Sequence, residues 1–68
     1  MNIDISTEIK VMLVKADKNL SWLAEQLNVS QPNLSAKMKR NNFRVSEMIE
    51  IADALGYDLK IEFIKKND

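Results

Sequence analysis

The stretch from Leu20 to Lys39, LSWLAEQLNVSQPNLSAKMK, restricts the fold of this chain more than any other. It contains two short runs of helical period joined by a polar turn. Leu23, Ala24 and Leu27 fall on one face of the first run, and Leu34 and Met38, four residues apart, on one face of the second. Isolated helices of this length are marginal in water, so the two runs must bury their faces together. Ala24 puts a small side chain where two such helices would cross. Ser30 is placed to cap the second run, and Pro32 falls in its first turn, where a missing N–H costs nothing.

The rest of the chain supplies the other walls of a core. A first helix is predicted to begin near Ser6, with Ile9, Met12, Leu13 and Ala16 at helical spacing, and Asp17-Lys18-Asn19 reads as a loop. The second helix is predicted from about Ser21 to Leu27. A fourth is predicted from Val45 to Leu55, with Met48, Ile49, Ile51, Ala52 and Leu55 as its apolar face, and Gly56, the only glycine, at its end. The period then changes. Leu59, Ile61 and Phe63 alternate with Lys60, Glu62 and Ile64, the pattern of a strand over 58–64. A lone strand needs a partner. The pattern therefore predicts antiparallel pairing of two copies through Leu59, Ile61, Phe63 and Ile64, with Asn2–Ile5 as a second candidate strand.

Composition narrows the classes. Sixty-eight residues without repeats or linkers make one domain, 1–68, of a size that buries only about 60% of its unfolded surface. The absence of cysteine excludes disulfides and thiolate metal sites, and the absence of histidine removes the usual general base and the commonest metal ligand. No apolar run approaches a membrane span, and Met1-Asn2-Ile3-Asp4 lacks the basic start of a signal peptide. A cytoplasmic setting is expected. The formal charge is zero, yet it is unevenly distributed. Between Gln26 and Ser46 stand Lys37, Lys39, Arg40 and Arg44 with no acid; between Glu47 and Glu62 stand Glu47, Glu50, Asp53, Asp58 and Glu62 against Lys60 alone.

With these residues in view, the chain resembles the Cro/repressor-type (lambda-repressor-like) helix-turn-helix regulators of phages and bacteria. The likeness covers Ser6 to Gly56. It rests on Leu23-Ala24, Leu27 and Val29 around the turn, Ser30-Gln31, Leu34, and the later Ile51-Ala52-Asp53-Ala54-Leu55-Gly56. It departs from the family at Asn28, where glycine is usual; at Met38, four rather than three residues after Leu34; and at Pro32 and Ala36, where long polar side chains are common. The resemblance implies a mostly α domain of four to five helices with a C-terminal strand, the helix-turn-helix lying over 20–39. It implies a double-stranded DNA-binding transcriptional repressor that binds a roughly palindromic operator as a homodimer, without a cofactor.

In such a domain the third helix enters the major groove with its N-terminal residues at base edges. The expected base-reading set is Gln31, Asn33, Ser35, Pro32 and Ala36, with Gln31 foremost because a glutamine amide can bond adenine bidentately. Lys37, Lys39, Arg40 and Arg44 are expected at phosphates, with Asn41, Asn42 and Ser21 adding neutral bonds. Gln31 could instead cap its helix. Trp22, off the Leu23/Leu27 face, reads first as a cover over a neighbouring helix and second as a contact for DNA backbone or protein. Two other classes compete. One is a protein-interaction module such as an antitoxin or adaptor. The other is an enzyme using a metal on Glu47, Glu50 and Asp53, disfavoured because no nucleophile or pocket accompanies these acids.

Overall fold

The computed structural model describes residues 4–67. Four helices follow one another: α1 (Ile5–Lys15), α2 (Leu20–Gln26), α3 (Gln31–Arg40) and α4 (Val45–Leu55). α2 packs most extensively on α3, α1 touches α3 and α4, and α4 also touches α2. Ile9, Leu13, Leu23, Ala24, Leu34, Met38 and Ile51 form the core, with Leu23 fully enclosed. Ala24 is buried in this cluster, as its small side chain predicts, and Leu34 and Met38 both point inward. Phe43, in the loop before α4, and Trp22 pack against the same cluster from its edge.

The helix ends follow one local rule. Each helix is closed by a residue in the left-handed region: Asp17 (φ 57°), Asn28 (φ 57°), Asn41 (φ 52°) and Gly56 (φ 81°). In every case that residue's N–H bonds the carbonyl three positions back, and the next N–H bonds the carbonyl five back. The bonds after α2 are Asn28 N–H to Glu25 O (3.2 Å) and Val29 N–H to Ala24 O (3.0 Å). This pairing satisfies carbonyls that the helix leaves open. Asp and Asn tolerate the conformation better than other residues bearing a Cβ, so Asn28 does the work of a glycine.

The starts are equally local, with two corrections. Asp4, not Ser6, caps α1: its carboxylate accepts from Thr7 N–H (3.0 Å) and the Thr7 hydroxyl (2.7 Å). Asn19 caps α2 by accepting from Trp22 N–H (2.8 Å), so the helix opens before Ser21. Ser30 caps α3 as expected, accepting from Asn33 N–H (3.3 Å). At α4 the bond runs the other way, Glu47 Oε1 accepting from Arg44 N–H (2.9 Å).

The strand expectation is overturned. The segment 58–64 carries no strand, and no strand or fifth helix occurs among the described residues. Of Asn2–Ile5, Asn2 and Ile3 lie outside the described residues, while Asp4 and Ile5 are the cap and first residue of α1. Strand N–H and C=O groups need a ladder partner, and of the nearest candidate Ile5 lies in α1 with Asp4 as its cap. Leu59, Ile61, Phe63 and Ile64 are consequently exposed, Phe63 completely. Ile49 is also a correction: it is 45% exposed although it was expected to face the core.

Candidate nucleic-acid interface

α3 is held from behind by Leu34 and Met38, which leaves its opposite side outward. Gln31, Pro32 and Asn33 are exposed on its first turn. Ser30 performs the capping, and the side chains of Gln31 and Asn33 have no hydrogen-bond partner among the described residues. Capping is therefore not the role of Gln31. Ser35 and Ala36, a turn later, are half-buried. The first turn thus presents two unpaired amides from a rigid support, whereas the second presents short side chains close to the helix surface.

The cations divide into two groups. Lys39 and Arg40 are exposed in the last turn of α3, and Arg44 is exposed in the loop that follows; none has an ion pair among the described residues. Lys37 differs. Its ammonium is bound to Glu47 Oε2 across the α3–α4 groove. Glu47 therefore makes two bonds, one to each side, and both favour its charged form. The Lys37 ammonium first, and the Arg44 N–H second, hold its carboxyl below the ordinary carboxylate value.

The loop residues also divide. Asn42 is exposed. Asn41 is exposed as well, but its Oδ1 is engaged, accepting from Ser6 N–H (3.0 Å), with the Ser6 hydroxyl at 3.3 Å. That hydroxyl donates to the Met38 carbonyl (2.5 Å), so buried Ser6 joins the start of α1 to the end of α3. Sequence reasoning placed Asn41 at phosphates and gave Ser6 a capping role. Neither assignment could foresee a bond spanning 32 to 35 residues. The Arg44-x-x-Glu47 spacing was the one available signal for Glu47, since an acid at the third helical position reaches back to the cap.

Ser21 is exposed on α2, its hydroxyl without a partner among the described residues. Trp22 is half-buried against the core, and Lys18 stands 5.2 Å from its ring centroid, in cation–π range. Trp22 thus packs on the edge of the core, as a covering residue would. Glu47, Glu50 and Asp53 do not gather as ligands: no group of three metal-binding side chains occurs among the described residues. No helix among these residues is long and apolar enough to cross a membrane. Comparison with family models, curated proteins and solved structures finds no match.

Proposed function

We propose that this chain is a sequence-specific double-stranded DNA-binding transcriptional regulator, a repressor, acting in the cytoplasm of a bacterial or phage-infected cell. One observation carries the reading. Gln31 and Asn33 stand exposed on the first turn of a helix anchored by Leu34 and Met38, and the same helix ends in Lys39 and Arg40, with Arg44 just beyond; among the described residues the two amide side chains have no hydrogen-bond partner and the three cations no ion pair. Amide side chains are the groups that read adenine, and unpaired cations the groups that displace counterions from phosphates. Gln31 is the foremost base reader, with Asn33, Ser35, Pro32 and Ala36 beside it. Lys39, Arg40, Arg44, Asn42 and Ser21 are phosphate contacts. We assign no catalytic activity and no cofactor.

A homodimer completes the reading. The exposed Leu59, Ile61, Phe63 and Ile64 support it, because burying such side chains is worth about 1.5–3 kcal/mol each. Association here rests on apolar burial and not on a paired strand. The same exposed residues, together with Val45 and Ile49 on α4, also favour a second reading, a protein-interaction module such as an antitoxin or adaptor.

Selection of bound duplexes from a random pool at near-physiological salt tests both. The expected result is an inverted repeat with half-site centres about 34 Å apart, one helical turn. Enrichment of nothing over bulk DNA would overturn the DNA reading in favour of the protein partner.

A further inference from the structure

Lys37 occupies the edge of α3 between Asn33, four residues before it, and Arg40, three after. All three line one groove, to which α4 contributes Glu47, Glu50 and Ile51. The Lys37–Glu47 pair is partly open to solvent, with the lysine side chain 40% and the glutamate 26% exposed. Lys39, Arg40 and Arg44 make no ion pair among the described residues, although the Arg44 charge also acts on Glu47 from farther away. The carboxylate is also oriented, because its other oxygen is fixed on the Arg44 N–H at 2.9 Å. It thus presents one oxygen to a cation of the candidate DNA-binding helix, in the way a phosphate oxygen would.

We infer that Glu47 is an internal stand-in for a DNA phosphate, withholding Lys37 from the contacts that bind the duplex backbone. The inference rests on the DNA-binding reading. A lysine already paired with a carboxylate neutralises no phosphate and releases no counterion. The phosphate set is then Lys39, Arg40 and Arg44, and Glu47 sets the sequence-independent part of the affinity below what four cations would give. Base reading by Gln31 is untouched, because phosphate contacts position the protein without reading sequence.

The test is the salt dependence of duplex affinity for wild type, Lys37→Ala, Glu47→Gln and the double variant. Each phosphate contact contributes about 0.9 to the slope of log K against log salt, or about 3.5-fold in affinity between 50 and 200 mM. Lys37→Ala should leave the slope unchanged. Glu47→Gln, whose amide oxygen can still accept from Arg44 N–H, should steepen it by about 0.9, and adding Lys37→Ala should restore the wild-type slope. A flatter slope in Lys37→Ala alone overturns the inference, since Lys37 would already be on a phosphate. So does a Glu47→Gln effect that persists without Lys37, which would mean that Glu47 acts by repelling DNA or through Arg44 and not by withholding Lys37. The Lys37→Ala measurement decides even where Glu47→Gln does not fold. Wild-type protein that binds no duplex refutes the DNA reading itself, and this inference with it.

Discussion

Replacing Ser6 with alanine isolates a bond that ties α1 to the end of the candidate reading helix. Ser6 is 7% exposed, and its hydroxyl donates to the Met38 carbonyl at 2.5 Å, 32 residues away. Two effects oppose one another. Removing the hydroxyl takes a partner from a buried carbonyl, which costs about 1–2 kcal/mol. Alanine is the better helix former, which returns up to about 0.5 kcal/mol. The space vacated is one oxygen atom, so the cavity contribution is small. The Met38 carbonyl keeps a longer bond from Asn41 N–H (3.3 Å), which holds the loss toward the lower end. The net expectation is a loss of about 1 kcal/mol, or roughly 4–8 °C in Tm for a domain of this size. A domain of 68 residues has about 3–10 kcal/mol in all, so the change is easily read by circular dichroism at neutral pH. Asn41→Gly provides the companion, since glycine retains the left-handed backbone while removing the side chain that meets Ser6. The two substitutions should couple by about 0.5 kcal/mol or more. A Tm for Ser6→Ala at or above that of wild type, with additive behaviour in the double variant, would refute the claim that this contact holds α1 to α3.

Gly56→Ala meets no atom within 4 Å but must adopt a φ of +81°, so it should cost about 1–2 kcal/mol from backbone strain alone, measurable as a lowered Tm. Glu47 has a folded-state pKa below its ordinary value of 4.5, so its contribution is fully present above that value and is lost as pH falls through the lower folded value. Acid titration of stability should therefore be shallower in Glu47→Gln than in wild type; superimposable curves would remove the pair from the account. Gln31→Ala should weaken binding at one base position in each half-site, and equal loss on all sequences would end its reading role. Arg40→Ala should weaken binding on every sequence and flatten the salt slope by about 0.9. Deleting the residues after Asp58 should leave the four helices folded and yield a monomer by sedimentation, because the Tyr57 N–H bond that closes α4 is kept and the side chains removed are exposed among the described residues. A truncated chain that still dimerises would move the interface to Val45 and Ile49 of α4.

The cap of α3, the closures of α2 and α4, and the pairing of α2 with α3 were legible in the sequence because their determinants are local, although the equally local caps Asp4 and Asn19 were missed. A capping bond spans three residues and a left-handed closure at most five, so Ser30, Asn28 and Gly56 announce their roles within their own neighbourhoods. Leu34 and Met38 lie four apart, about 40° on the helix, so they share one face, and a neighbour packed along that face covers both. The same reasoning left the first-turn side chains of α3 outward, where they are found. What the tertiary structure decided is which residues meet across long gaps and which apolar groups are left over. Ile49 and Ile51, two residues apart, lie about 160° apart around α4, and the positions of α1 and α2 determined that Ile51 is the buried one. Ser6 meeting Met38 and Asn41, and Lys37 meeting Glu47, depend on how helices cross, which no local pattern encodes. The alternation of Leu59, Ile61 and Phe63 is a true period of two, yet a period becomes a strand only when a second strand accepts its hydrogen bonds. Ile5 went to α1, and the tail stayed unpaired.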